Sequence, residues 1–358
     1  MEAYNNRIYA TAAAAGLLVI MGLSIFLSPK PAPVPRRGQD ISLEDRTAVN
    51  SVYQDFDKVQ TMGDGTAGGD DNIKFAHQGV VTLLQKHYDS QKVLDQYWNL
   101  RKNVPKSAGD PDRIDSDHIP SLLITGLKHG EDKVADAYKE VNKLRTERGY
   151  KDNSLGFDDM PLLTACFLDY GQEKTLDVYQ KIKNAKSNRK KVVSSDFLGS
   201  MTRLALETDV DQVLDMYQKV DDFRRIDYSI SYDHMGTLTR VALNHGFDTM
   251  TDLVDKVKQE GQDTSGDFDD VRSDDIGMLT ELSATMGLER VLGVYDRFRL
   301  FGGGLVDEGE RVAPLHLSML TMNALLDDVE AEQAQTMIES RGLDIATAVA
   351  AYNLLNGF

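Results

Sequence analysis

Between His77 and Ser340 the chain repeats one pattern seven times. Each copy has a short polar entry, an apolar turn ending in Leu-Thr or close to it, a Gly or acidic residue, and a Val/Leu-Asp-x-Tyr-x-Lys-Val segment. With the aromatic of that last segment as marker, the series runs Tyr97, Tyr138, Tyr179, Tyr217, Val254, Tyr295 and Thr336, at steps of 37 to 41 residues. A period near forty residues that holds two helical stretches marks an array of helical hairpins, whose apolar faces are buried only against neighbouring units. No hairpin of this kind is stable by itself.

Periodicity places the helices inside a unit. Met235, Leu238, Ala242 and His245 give a first helix one buried stripe, and Leu176, Tyr179 and Ile182 do the same for a second. A column of Thr82, Leu123, Thr164, Thr202, Thr239, Thr280 and Thr321 runs through the first helices. Just ahead of the stripe stand Asp117, Asp158, Asp196, Asp233 and Asp274, expected as N-caps that accept from the free N–H groups of the first turn. Pro120 and Pro161 follow within that turn, where no intrahelical donor is missed. Gly130, Gly171, Gly246 and Gly287 are expected to reverse the chain between the two helices with a positive φ. Asp89, Asp209 and Asp328 occupy that column in other units and are expected to take the left-handed region.

The N-terminus is of another kind. Ile8 to Ser28 is uncharged and includes AAAAGLLVIMGLSIFL, long enough to cross a bilayer core as a helix. A cleaved secretory signal is the competing reading, but its apolar core is shorter and no small-x-small site follows Phe26. Residues 1–28 are therefore read as a membrane anchor. Residues 29–41, Pro-rich, form a semi-rigid spacer. Lys30, Arg36 and Arg37 after the span outweigh Arg7 and the amino terminus before it, placing the body on the cytoplasmic or organellar-matrix side. Residues 40–358 carry 36 basic side chains (40 minus 4) and 56 acidic ones (57 minus 1). That balance opposes nonspecific binding to nucleic acid or anionic lipid.

Motifs of chemistry are weak. Gly63-Asp64-Gly65-Thr66-Ala67-Gly68 fits G-x-G-x-x-G, but it runs into Gly69-Asp70-Asp71, whose carboxylates repel a pyrophosphate. It reads as a loop. His77, His118, His234 and His316 share one column, but helices packed 8–10 Å apart, roughly, do not bring two imidazoles onto one ion with short bonds. They are read as surface or cap-adjacent side chains. Cys166, the single cysteine, reads as a small core residue. No HExxH, GxSxG or P-loop is present, so no enzyme activity, metal or cofactor is expected.

The spacing from Leu122 to Gly130, Leu163 to Gly171, Leu238 to Gly246 and Leu279 to Gly287, followed by an amphipathic second helix, resembles pentatricopeptide repeats and more loosely tetratricopeptide repeats over residues 74–341. The resemblance implies stacked helical hairpins. In the RNA-reading family a polar residue just before that Leu recognises a base, and the matching positions here are Ser121, Leu162, Ser200, Thr237, Met278 and Met319.

The expected fold is all-α: a right-handed α-solenoid of about seven hairpins over 74–341. A leading helix and Gly/Asp loop (42–73) precede it and a capping helix (342–358) closes it. The expected function is a membrane-tethered scaffold whose concave face, lined by first helices, receives a protein or peptide. Arg203, Arg240 and Glu281 are the candidate contacts. The alternative is a single-stranded RNA binder of pentatricopeptide type.

Overall fold

The structure, a computed structural model, describes residues 54–55, 58–59, 73, 75–102, 114–147, 159–187, 190–227, 230, 234–261, 275–305, 314–327 and 329–339. All of them belong to the second of two units of the chain, Ile41–Phe358. The anchor, the spacer, the glycine loop, the closing helix, Asp158, Asp233, Asp274 and Asp328 lie outside the described residues. Of the leading helix, 54–55 and 58–59 are described and are helical. Among the described residues no helix is long and apolar enough to cross a membrane.

The described residues are all-helical apart from one short ribbon and the turns that join the helices. Seven hairpins follow one another: α1 (Phe75–His87) with α2 (Ser90–Lys102), α3 (Ile119–His129) with α4 (Glu131–Glu147), and α5 (Met160–Tyr170) with α6 (Gln172–Asn184). Next come α7 (Leu198–Glu207) with α8 (Val210–Ile226) and α9 (Met235–His245) with α10 (Phe247–Gly261). The last two are α11 (Ile276–Met286) with α12 (Leu288–Leu305) and α13 (Pro314–Leu325) with α14 (Ala331–Met337). In the link between the third and fourth hairpins, β1 (Lys186–Ser187) pairs antiparallel with β2 (Lys190–Lys191).

Each first helix packs on the next first helix, from α1 through α13, and α13 packs back on α1. The seven first helices thus form a closed ring. The repeats alone do not say whether such an array closes; here the last hairpin packs on the first. Lys86 pairs with Asp327, Gln335 Nε2 donates to the His87 carbonyl at 2.9 Å, and α14 also touches α1.

The marker tyrosines Tyr97, Tyr138, Tyr179, Tyr217 and Tyr295 are fully buried. The threonine column is buried too, and five of its six hydroxyls solve their own polar problem. Thr82, Thr164, Thr239, Thr280 and Thr321 each donate to the carbonyl four residues back, at 2.7–2.8 Å, so a hydroxyl can enter the core without losing its hydrogen bond.

Three local expectations change. The N-caps of α3, α5, α9 and α11 are His118, Asp159, His234 and Asp275, one residue later than the expected aspartates. The chain enters α3 through a 3-10 turn, Ser116–His118, that contains Asp117. It is Asp115 that caps this turn, accepting from the Asp117 N–H at 2.9 Å.

The glycine turns have φ of 87–93°, as the column predicts. Asp209 instead is extended at φ −155° and accepts from the N–H groups of Asp211 and Gln212, and Asp89 accepts from Lys92 N. A carboxylate can cap the second helix, so these units reverse without the conformation that only glycine adopts cheaply.

In the seventh unit the turn is two residues longer. Ala334 N bonds to Glu330 O, as Val291 N does to Gly287 O in the unit before. The buried marker position therefore falls on Ile338, and Thr336 is exposed.

Candidate functional site

In three units a polar residue at the start of the first helix meets the marker tyrosine twenty positions later. His77 Nδ1 lies 3.0 Å from Tyr97 Oη and His118 Nδ1 lies 2.7 Å from Tyr138 Oη. Tyr295 donates to Asp275 Oδ2 at 2.9 Å. These histidines are buried, which corrects their reading as surface side chains. Each is cap-adjacent because the start of a first helix is pinned to the middle of its second.

The next hairpin closes over the node. Gly199 N–H donates to Asp159 Oδ1, and a Cβ placed at Gly277 would clash with the His234 ring. Gly199 and Gly277 stand at the position that Pro120 and Pro161 take in their units, two residues after the cap, so this column is kept small or ring-locked.

Six residues after the cap runs a second column: Leu83, Ile124, Ala165, Arg203, Arg240, Glu281 and Met322, all buried. Arg203 Nη2 reaches the Glu339 carbonyl at 3.4 Å, three hairpins further along. In a closed ring of seven that reach crosses the interior, so the column faces inward. The three candidate contact residues are therefore brought into one interior layer. Only 6 % of Arg203, 7 % of Arg240 and 4 % of Glu281 is exposed. Arg240 Nη1 stands 4.0 Å from Glu281 Oε1, and Arg203 Nε bonds Glu207 at 3.2 Å.

An interior pair of opposite charges is costly to desolvate, and well-packed apolar replacements are often neutral or stabilising. Replacing Arg240 and Glu281 together by Met, the residue the seventh unit carries, is expected to leave stability within about 1.5 kcal/mol of the parent or to raise it. Urea denaturation checks this.

At the C-terminal ends of the first helices polar contacts join the hairpins. Lys128 Nζ and His129 Nε2 meet Asp169 Oδ1 at 2.6 and 2.8 Å, linking the second and third units. Tyr88 donates to Glu339 Oε1 at 3.3 Å across the seam between the first and last units. Burial, and next the Glu339 carboxylate, push the Tyr88 hydroxyl well above its ordinary value. Burial, then Glu207 and Asp169, raises Tyr170 in the same way.

His87, at that seam, is held below 6.5 by burial first and by Lys86 second, against Asp327 and a hydrogen bond with Asn323. A base whose folded value is depressed binds fewer protons folded than unfolded. The stability it supports is complete above 6.5 and is lost as pH falls below that value. The urea midpoint is therefore expected to fall between pH 7 and pH 5.5, and His87→Gln is expected to lose less over the same interval.

No three His, Cys, Asp or Glu side chains gather as metal ligands among the described residues. What the interior layer and the seam do is hold hairpins in register. No family model matches this chain, and comparison with curated proteins and with solved structures likewise finds no match.

Proposed function

We propose that the chain is a membrane-tethered helical-repeat scaffold that receives a protein or peptide partner on the outside of its ring, on the second helices and the links. The observation that carries this reading is the closed ring, which turns the first-helix side chains inward and buries them. A concave groove of first helices is therefore not the docking surface, and Arg203, Arg240 and Glu281 act within the fold. The second helices keep a polar outer face: Asp95, Asp136, Asp177, Asp215 and Asp252 form an exposed column, and Lys181, Lys219 and Lys256 pair with the last three at 2.7–2.8 Å. Residues 8–28 supply the tether, and the body stands on the cytoplasmic or matrix side.

Reading of RNA bases is the weaker proposal. Of its six positions, Ser121, Leu162, Met278 and Met319 are buried, where no base can stack on them. Affinity capture of the full chain from detergent extract, with and without nuclease, tests the choice. A scaffold keeps its partners after nuclease treatment, whereas their loss would overturn it.

A further inference from the structure

Between the link that precedes α7 and the C-terminal half of α8 lies an open cleft of about 430 Å³. Val192, Val193, Ser194 and Ser195 form one wall; Tyr217, Asp221, Arg224 and Arg225 form the other. Asp221 holds both guanidiniums, at 3.3 Å from Arg224 Nη2 and 2.6 Å from Arg225 Nη2. One nearly buried carboxylate thus fixes two cations, and 65 % of the Arg225 side chain remains in solvent. A guanidinium has five donors in a rigid fork, so a second anion can be accepted beside the first.

The sequence that leads into the cleft is unlike the rest of the chain. Lys181, Lys183, Lys186, Arg189, Lys190 and Lys191 follow one another with no acidic residue between them, in a protein of net charge −17. The ribbon β1–β2 carries three of these lysines and leads directly into the wall of the cleft. Directly after Arg225, Ile226 is 83 % exposed, an unusual state for a large apolar side chain in an otherwise polar surface. A concave site with two convergent guanidiniums and one exposed apolar residue beside them describes a recognition surface for a particular chemistry.

We propose that this cleft binds an acidic peptide segment. A carboxylate of the peptide lies against Arg224 and Arg225, and a neighbouring apolar side chain rests on Ile226. The inference rests on the protein-partner reading above and names the partner's chemistry. An acidic ligand is the complement of the two adjacent guanidiniums and of the run of six cations that precedes the cleft in sequence.

The test is fluorescence anisotropy with the purified full chain in detergent and a labelled peptide of five glutamates around one leucine. A peptide with serine in place of every glutamate is the control. The acidic peptide is expected to bind, to weaken as salt rises, and to lose about tenfold in affinity in Arg224→Gln/Arg225→Gln. Arg225→Gln alone, at an exposed side chain that leaves the fold intact by circular dichroism, is expected to lose severalfold, as is Ile226→Ser. Lys58→Gln, an exposed side chain ahead of the first hairpin, is expected to change nothing. Equal affinity in all variants, equal binding of the serine peptide, or no binding of the acidic peptide would overturn the assignment. So would tighter binding of anionic vesicles or of a single-stranded oligonucleotide that depends on Arg225. If the peptide fails while nuclease-resistant partners persist in capture, the cleft assignment falls alone. If capture collapses on nuclease treatment, the scaffold reading falls whatever the peptide does.

Discussion

A chain ended after Leu305 is expected to lose hydrogen-exchange protection in α1, although α1 stands at the far end of the sequence from the deletion. The reason is the ring. Without the seventh hairpin, α1 loses α13 and α14 as neighbours, and the contacts of Lys86, His87 and Tyr88 with Asp327, Gln335 and Glu339 go with them. The apolar side chains of α1, among them Val80, Val81, Leu83 and Leu84, are then left on a hairpin packed on one side only. An open array behaves differently: its stability is close to a sum of unit and nearest-neighbour terms, so trimming one end leaves the other end unchanged. Exchange measured by mass spectrometry on the parent and the truncated chain decides the matter. Amides of α1 and α11 should both exchange at rates near those of an unstructured segment in the truncated chain. Unchanged protection of α1 would show that the seam contributes nothing.

Much of this architecture is legible in the residues. The forty-residue period, the positive-φ glycines and the buried tyrosines follow from local rules, each satisfied inside one hairpin or between two adjacent ones. Closure does not follow from them, because it depends on a small rotation accumulated over seven units. One sign of it is nonetheless present. Open arrays end in units with a polar outer face, whereas the first helix of the first unit and that of the last are as apolar as those between them. The His118–Tyr138 and Asp275–Tyr295 nodes are also readable, since a His or Asp recurs twenty positions before four of the marker tyrosines.

The charged interior was not legible. Arg203, Arg240 and Glu281 follow a threonine on an amphipathic helix, and a helix that packs on one side would leave them in solvent. Only a helix covered on every side, as in a closed ring, buries them. The displacement of the marker from Thr336 to Ile338 has a similar origin. Counting residues assumes turns of constant length, and the seventh turn caps its second helix with Glu330 after two further residues.

The node at Tyr138 shows how much the hairpins depend on these pairs. Its ring is buried, in edge-to-face contact with His118 at 5.7 Å between centroids. Its hydroxyl accepts from the Asp115 N–H at 3.2 Å while engaging His118 Nδ1 at 2.7 Å. One phenol thus fixes the link, the cap and the second helix together. Tyr138→Ala is expected to cost about 3–5 kcal/mol, because it removes a buried ring and leaves a cavity that a helix on either side cannot fill. Tyr138→Phe keeps the ring and strands the partners of the hydroxyl, which costs about 1–3 kcal/mol. The fifth unit supplies the contrast: its marker position is the buried Val254, which has no hydroxyl, and Val254→Ala is expected to cost less, about 1–2 kcal/mol. Urea denaturation of the three variants should therefore order them as Tyr138→Ala well below Tyr138→Phe and Val254→Ala. A loss under about 1 kcal/mol for Tyr138→Ala would mean that the node is a consequence of the packing and not one of its causes.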